Sequence, residues 1–469
     1  MATVAPTRVQ SGRGVELVLL VVALVVAVSS YALVGIGVDG SAPANVVRYG
    51  VGMTALAVAA HLVVRWRAPY ADPVILPTVI ALNGIGLAMI YRLDLAYEAR
   101  GKAQHNFADK QLMWSALAML LALVVLVLLR DHRTLRRYSY TAMIAALVLL
   151  VLPMVPGIGQ EKNGARIWIA LGPASFQPAE FAKIALAVFF AGYLVTNRDT
   201  LALAGRTVLG MKLPRARDLG PILVVWAVTL MVLVAQKDLG TSLLLFGLFI
   251  AMLYLATERV SWVLLGLALL GVGAWAAAQA FSHVNVRFTI WLHALDPEVY
   301  EPASGSGYGW GSGQLVRGLF GMASGGLFGT GWGQGRPDLV SEAESDFIVA
   351  SLGEELGLTG LIAVLALLMI LVQRGMRTAI GVRDGFGKLL AGGLSFLIIV
   401  QVFVVVGGVT RLIPLTGLTT PFLAYGGSSL LGNWLIVGLL LRISDDARRP
   451  APVVPVVPTP AGGTPVLDR

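Results

Sequence analysis

The stretch SEAESDFIVASLGEELGLTG, residues 341–360, changes from an acidic, polar segment into an apolar helix. Asp346 lies at that change. An aspartate in this position is either an N-cap, which stabilises a helix by about 1 kcal/mol, or a group used in chemistry. Glu354 and Glu355 follow further along the helix, where capping cannot explain them. They need a polar cavity or a partner such as Arg411, because burying a carboxylate without either is very costly.

The composition is that of an integral membrane protein. Of the 469 residues, 57% are hydrophobic and 13% are charged, and the mean hydropathy is +0.79, outside the usual balance of a soluble domain. The absence of cysteine excludes disulfides, Fe–S clusters and thiolate zinc sites. The first apolar run, 16–38, is longer than the apolar region of a signal peptide and predicts the first spanning helix.

Twelve apolar runs approach the length of about 20 residues that a helix needs to cross a bilayer. They are 16–38, 46–64, 74–92, 112–130, 139–155, 178–196, 219–235, 242–257, 262–282, 346–373, 389–408 and 424–443. We therefore predict an all-α, polytopic membrane helical bundle, although the shortest runs leave ten or eleven spans open. The basic, proline-containing RWRAPYADP separates the first two helices from the others.

The distribution of positive charge predicts the orientation of the chain. The net charge of +9 does not indicate a nucleic-acid partner, because the basic residues concentrate in alternate loops. An excess of Lys and Arg is typical of cytoplasmic loops. This pattern predicts a cytoplasmic N-terminus at 1–15, a proline-rich cytoplasmic tail at 444–469 and an outer position for Asp346.

Two outer segments are longer than simple connections, and loops of that length are usually functional or disordered. They cover 156–177 and 283–345. The second is rich in glycine but also carries several aromatic residues, so we do not expect disorder. Its Gln314, Arg317 and Arg336 could meet a polyanionic ligand outside the membrane.

Two pairs of ionisable residues are candidates for chemistry. Glu180 and Lys183 lie three residues apart, on one face of a predicted helix, and charges within membrane helices are candidate functional residues. Glu180 could instead complement the helix dipole, but Lys183 could not. For Lys237 and Asp238, the alternative is a local ion pair with helix capping by Asp238.

Arg166 and Trp168 precede the helix that carries Lys183. The guanidinium of Arg166 could bind a phosphate or a carboxylate in a bidentate way, whereas Trp168 could equally be an interfacial anchor. Arg411 and the run TPFLAYGGSS, residues 420–429, form a last outer loop. On these residues alone, catalysis and transport both remain open.

Five motifs occur in the order found in a known family. They are NGARIWIALGPASFQPAEFAK (163–183), KDLGTS (237–242), GQLVRGLFGMASGGLFGTGWGQG (313–335), SDFIVASLGEELG (345–357) and IPLTGLTTPFLAYGGSSLL (413–431). The chain resembles the SEDS (shape, elongation, division and sporulation) family of RodA- and FtsW-like proteins, and its RodA-like members most. The resemblance implies a ten-helix domain at 74–443 with a large extracellular loop at 283–345, preceded by two additional helices and a linker at 16–73.

The resemblance also implies a function. Members of the family are peptidoglycan glycosyltransferases, so the chain would polymerise lipid II, an undecaprenyl-pyrophosphate-linked disaccharide-pentapeptide, during wall elongation and maintenance of cell shape. The implied partners are a class B penicillin-binding protein, other elongation-complex proteins and membrane lipids, with no organic cofactor. The alternatives are a lipid II flippase or transporter, a division-specific FtsW-like polymerase and a structural scaffold.

By the same resemblance, Asp346 is the essential aspartate of the family and would be the general base that takes a proton from the acceptor sugar. Lys183 and Arg166 would bind pyrophosphate, and Glu180 would orient Lys183. A divalent cation, Mg²⁺ or Mn²⁺, would bind between carboxylates such as Asp346 and Glu180. The other candidates are Gln314 and Arg411 as substrate contacts and Lys237, Asp238, Glu354 and Glu355 as supporting residues.

Overall fold

The structure is a computed structural model that describes most of the chain. The described residues are 11–101, 106–162, 164–172, 174–197, 207–208, 211–212, 216–302 and 311–450. Three predicted features extend beyond these ranges. Residues 1–10 of the N-terminal segment, residues 303–310 of the long glycine-rich loop and residues 451–469 of the proline-rich tail lie outside the described residues.

The described part of the chain is a bundle of α-helices, which confirms the predicted fold class. In chain order the helices are α1 (Arg13–Asp39), α2 (Val46–Arg67), α3 (Ile75–Ala99), α4 (Phe107–Leu128), α5 (Thr134–Arg137), α6 (Ser139–Val151), α7 (Ala179–Thr196), α8 (Ala216–Ala235), α9 (Leu239–Thr257), α10 (Ser261–Ala280), α11 (Ser282–Leu292), α12 (Pro297–Tyr300), α13 (Gly313–Gly325), α14 (Ile348–Gly381), α15 (Gly385–Val409) and α16 (Gly427–Arg448).

Ten of these helices are long and apolar enough to cross a membrane, and α6 and α8 belong to two shorter apolar helices. Each of the twelve predicted runs falls on one of them. A helix satisfies its backbone hydrogen bonds within itself, as hydrocarbon requires. The chain is therefore a multi-pass membrane protein.

The centre of the bundle is α3. In the apolar 18-residue stretch of α3, 94% of the residues are buried inside the protein. In the corresponding stretch of α10, which lies at the periphery, 11% are buried. The first helix, α1, packs along α3, and a Cβ added at Gly84 of α3 would overlap Ala27 of α1. The two N-terminal helices are thus packed onto the bundle rather than apart from it. Other packed pairs are α4 with α16, α14 with α15 and α6 with α7.

The segment at 156–177, which is predicted to be an outer loop, folds as a small sheet that the all-α prediction misses. Strands β1 (Gly159–Lys162), β2 (Ala165–Leu171) and β3 (Ala174–Phe176) are antiparallel, in the order β1-β2-β3. Ile169 pairs with Gly159 on one side and with Phe176 on the other. Short strands β4 (Thr207–Val208) and β5 (Met211–Lys212) form a second antiparallel pair.

The long segment between α10 and α14 contains α11, α12 and α13 and a 3-10 turn at Pro337–Leu339. It leads into α14, which is broken at Gly357 (φ 67°, ψ −172°). A side chain at this position would be strained and would overlap the backbone of the loop at 326–331. The break divides α14 into a short first part, 348–356, and a long second part, 358–381.

Candidate active site

Ionisable side chains from four elements converge on the side of the bundle that carries Asp346. They are Glu180, Lys183, Asp238, Arg287 and Asp346, which we call the charged cluster. Glu180 and Lys183 form an ion pair, Asp238 interacts electrostatically with Glu180 and Arg287, and Arg287 interacts with Asp346. Helix α7, the start of α9, α11 and the segment before α14 therefore bring charged side chains within electrostatic range of one another.

The pair on α7 is buried. Lys183 is 1% exposed and Glu180 6%, and Lys183 Nζ lies 2.5 Å from Glu180 Oε2. Lys183 also donates a hydrogen bond to Gln401 Oε1 of α15 at 3.0 Å, and the Gln401 amide donates to Thr419 O at 2.9 Å. The prediction that the two charges share one helix face is confirmed, and the ammonium is held in a defined position.

Asp238 caps α9, as the sequence alternative predicted. Its Oδ1 accepts a hydrogen bond from Thr241 N at 2.9 Å, whereas its buried Oδ2 has no hydrogen-bond partner. Burial raises the pKa of Asp238 above its ordinary value, while Thr241 and Arg287 act in the opposite direction. Lys237 is exposed, in contrast to the buried Asp238. The carboxylate thus keeps one oxygen free inside the charged cluster.

Asp346 does not cap α14, so the capping interpretation is wrong. The residue at the N-cap position is Phe347, and no side chain makes the cap hydrogen bond. The Asp346 side chain is half-buried, and Ser345 Oγ donates to its Oδ1 at 3.3 Å. Burial raises the pKa of Asp346 to about 7, and the negative charge of Glu342 acts in the same direction. A carboxylate with that pKa can accept a proton near neutral pH.

Arg287 is a cluster residue that the sequence interpretation missed. Its guanidinium donates a hydrogen bond to Leu415 O at 2.9 Å. Burial lowers its pKa, and the carboxylates of Asp238 and Asp346 act in the opposite direction. The available signal was a single cation inside the largely apolar run VNVRFTIW, residues 284–291, which is the same kind of signal that identified Lys183.

Arg411 supports α11 rather than the acids of α14. It donates hydrogen bonds to the carbonyl oxygens of Trp291 and Leu292, both at 2.8 Å. In return, the Trp291 indole donates to Arg411 O at 3.0 Å. Arg411 therefore fixes the C-terminal end of the helix that carries Arg287.

The partner of Glu355 is Arg92 of α3. Arg92 Nε donates to Glu355 Oε1 at 2.7 Å, and Gly333 N donates to Glu355 Oε2 at 3.0 Å. Glu354 Oε1 accepts from Arg336 N at 2.6 Å. The suggestion that Arg411 offsets these charges is wrong, because both acids hold the loop at 333–336.

The segment that leads to Asp346 is held by several hydrogen bonds. Gln314 donates to Ser341 O at 2.7 Å, and the Tyr97 hydroxyl donates to Glu344 Oε2 at 2.8 Å. The backbone N–H of Tyr425 donates to Glu344 O at 2.7 Å. Gln314 thus contacts the chain just before Asp346.

Arg166 lies outside the charged cluster. It is part of β2, where 61% of its side chain is exposed and its Nε lies 3.1 Å from Glu161 Oε2 of β1. An exposed pair of this kind contributes little to stability. A role for Arg166 in binding pyrophosphate stays a prediction.

A divalent cation between Asp346 and Glu180 also stays a prediction. Glu180 already has Lys183 as its counter-ion, and Arg287 places a second cation beside Asp346. These side chains supply positive charge to the cluster.

Among the residues that the structure describes, one group of three side chains has ligand atoms close enough to share an ion: His132, Asp384 and Asp446. It lies at the opposite end of the bundle, next to the start of α15. Arg133 Nε is 3.4 Å from Asp384 and its NH2 is 3.1 Å from Asp446. The two carboxylates thus have a counter-ion.

Comparison with known proteins identifies the chain's relatives. A sequence model of the FtsW/RodA/SpoVE family, described as cell cycle proteins, matches residues 73–449. The peptidoglycan glycosyltransferase RodA of Mycobacterium tuberculosis is 48% identical over 99% of this chain and 97% of its own length. The probable peptidoglycan glycosyltransferase FtsW of Trichlorobacter lovleyi is 35% identical over 80% of this chain and 93% of its own length.

Solved structures share the fold. A chain from a study entitled "Structural coordination of polymerization and crosslinking by a peptidoglycan synthase complex" matches with a TM-score of 0.62 and 24% identity, over 81% of this chain and 99% of that one. The Rod shape determining protein RodA of Thermus thermophilus matches with a TM-score of 0.54 and 24% identity, over 81% and 98%.

Proposed function

The chain belongs to the FtsW/RodA/SpoVE family, and on this basis we propose that it is a peptidoglycan glycosyltransferase that polymerises lipid II during wall elongation. The observation that carries the proposal is the 48% identity to a RodA glycosyltransferase over nearly the whole chain. The FtsW relative is less similar and matches a smaller share of this chain, which favours elongation over division.

Asp346 is the general base of the proposed reaction. Its carboxylate takes the proton from the 4-hydroxyl of the acceptor sugar as that oxygen attacks C1 of the donor sugar. The new bond from C1 to the acceptor oxygen forms as the bond from C1 to pyrophosphate breaks, with inversion at C1. A pKa of about 7 leaves a useful fraction of Asp346 ionised at neutral pH.

Negative charge develops on the departing undecaprenyl pyrophosphate, and positively charged side chains nearby would stabilise it. Lys183 and Arg287 supply this positive charge from fixed positions, because Gln401 and Leu415 O hold their side chains. Charges that are already in place when negative charge develops stabilise a transition state without reorganisation. Asp238 and Glu180 limit the net charge of the cluster, because each carboxylate offsets one of the two cations.

The membrane supplies the context for this reaction. The lipid tail of the substrate would enter laterally between helices, and Asp346 would face the outer side while both termini face the cytoplasm. A structural relative belongs to a study of a peptidoglycan synthase complex that coordinates polymerisation with crosslinking. We accordingly propose that a class B penicillin-binding protein is the partner of this chain.

Reconstitution tests the proposal. The purified protein is incorporated into liposomes with lipid II, with and without its partner, and glycan polymer is measured. Polymer formed by the wild type and lost in Asp346→Asn supports the assignment. Transfer of fluorescent lipid II across the bilayer without polymer would contradict it and favour a transporter. Chelation followed by addition of Mg²⁺ or Mn²⁺ tests the cation in the same assay.

A further inference from the structure

The C-terminal turn of α1 makes close backbone contact with the loop at 332–334. A Cβ added at Gly37 would overlap the carbonyl oxygen of Trp332, and a Cβ on Gly333 would lie 2.9 Å from Val38 N. The Gln334 side-chain amide donates to Gly37 O at 2.5 Å. The two backbones can approach this closely because glycine has no side chain.

The same loop holds the first part of α14. Gly333 N donates to Glu355, and Arg92 binds both Glu355 and Gly335 O, each at 2.7 Å. Glu355 lies near the end of the first part of α14, 348–356, which is a rod about 13 Å long at 1.5 Å per residue. Asp346 lies just before the other end of that rod.

The helix α1 is fixed to the rest of the bundle at two further places. Its middle packs on α3, where Ala27 contacts Gly84. At its other end, Arg13 binds Ala71 O, and the fully buried Glu16 accepts a hydrogen bond from His61 of α2 or donates to it, at 2.7 Å. A helix held in this way can transmit a fixed position to the loop that it contacts.

The part of α1 that does not face α3 is apolar and exposed, with Val18 65% exposed and Val25 61%. A helix that served only to anchor the chain in lipid would need this face. It would not need two glycine contacts and a hydrogen bond at the loop before Asp346. The α1 side of those contacts lies outside residues 73–449, the part of the chain that the family model matches, whereas the loop at 332–334 lies inside it.

We propose that α1 is a positioning element of the active site. Its C-terminal turn sets the position of the loop at 332–334, and that loop sets the first part of α14 and Asp346 through Glu355. Gly37 is thereby a positioning residue and not a catalytic one. The inference rests on the proposed glycosyltransferase function.

The test compares two glycines of α1 in the full-length protein. Gly37→Val places a side chain against the loop, whereas Gly14→Val adds the same side chain to the same helix where a Cβ meets no atom within 4 Å. We measure thermal unfolding, amide hydrogen exchange across 330–346, and the kcat and KM of lipid II polymerisation.

Three results are expected for Gly37→Val. Exchange across 330–346 becomes faster, kcat falls about tenfold or more, and KM changes less than kcat, because a misplaced base weakens the transition state more than substrate binding. Exchange in α15 and α16 stays as in the wild type. Gly14→Val behaves like the wild type in every measurement.

A second, milder variant keeps the proposal testable if Gly37→Val does not fold. Gln334→Ala removes the hydrogen bond to Gly37 O and leaves the glycine contact, so we expect faster exchange at 330–346 and a smaller loss of kcat. If Gly37→Val does not fold, this variant decides the outcome.

The proposal is overturned if Gly37→Val keeps wild-type exchange at 330–346 or wild-type kcat, or if Gly14→Val is impaired to the same degree. It is also overturned if Gln334→Ala leaves both exchange and kcat unchanged. Failure of the wild type to polymerise lipid II would reject the proposed function instead, and hydrogen exchange would still test the contact between α1 and the loop.

Discussion

Arg92 of α3 and Glu355 of α14 form a buried ion pair, with Arg92 Nε 2.7 Å from Glu355 Oε1 and side-chain exposures of 6% and 0%. The pair joins the central helix to the helix that follows Asp346. It also holds the intervening loop, because Arg92 Nη2 donates to Gly335 O and Glu355 accepts from Gly333 N. Its loss should affect both stability and activity.

The Arg92→Met variant tests this pair. It leaves the Glu355 carboxylate buried without its partner, so we expect it to destabilise the protein by about 3 to 5 kcal/mol. Thermal unfolding in detergent, followed by circular dichroism, measures the effect. The double variant Arg92→Met, Glu355→Leu should regain much of the loss, and equal destabilisation of the single and double variants would contradict an ion-pair role.

The rate of polymerisation should depend on the ionisation of Asp346. Burial raises the pKa of this carboxyl to about 7, and only the ionised form can accept a proton. The rate should therefore fall as the pH drops below about 7, and Asp346→Asn should be inactive across the range. Initial rates between about pH 5.5 and 8.5 measure this. The exposed Asp109 supplies a control, because Asp109→Asn should keep the wild-type profile.

Because its pKa is raised in the folded state, Asp346 should make the protein less stable as the pH rises. Its folded pKa is about 7 and its ordinary value 3.8, so the folded state binds more protons than the unfolded state between these values. The free energy of unfolding then decreases with rising pH. Asp346→Asn removes the effect, and its melting temperature relative to the wild type should increase between pH 4 and pH 7. A constant difference would argue against the raised pKa.

Arg287 should be required for catalysis. Arg287→Gln removes a cation from beside Asp238 and Asp346, so we expect the rate to fall at least about a hundredfold, in the range found when one electrostatic group is removed. Arg287→Lys should retain part of the activity. Arg48, which is 76% exposed, provides the matched control, Arg48→Gln. Wild-type polymerisation by Arg287→Gln would remove this residue from the site.

Variants of Lys183 and Glu180 should show that the stability of the protein can be restored without restoring its activity. Lys183→Met leaves Glu180 buried without a counter-ion, so the protein should lose both stability and activity. The double variant Lys183→Met, Glu180→Gln should recover stability but not activity, because the cation is still missing. Melting temperature and polymer yield are measured on the same preparations, and recovery of activity in the double variant would contradict a role for the ammonium.

Much of the fold follows from the order of residues along the chain. Apolar runs predict helices because a bilayer tolerates a backbone only when its hydrogen bonds are satisfied internally, and all twelve runs lie on helices. The pair Glu180 and Lys183 follows from helical spacing alone. The strand at 165–171 was missed although its sequence, ARIWIAL, favours a strand by its composition.

The candidate active site is formed by residues that are distant from one another in the sequence. Spacing along one helix cannot show that Arg92 rather than Arg411 neutralises Glu355, that Arg287 lies beside Asp346, or that α1 reaches the loop at 332–334. The sequence by itself determined which segments are apolar enough to span the membrane and that Glu180 and Lys183 share one face of such a helix. Only the tertiary structure decided which charges meet, because electrostatic and packing energies depend on distances in space that long-range contacts set.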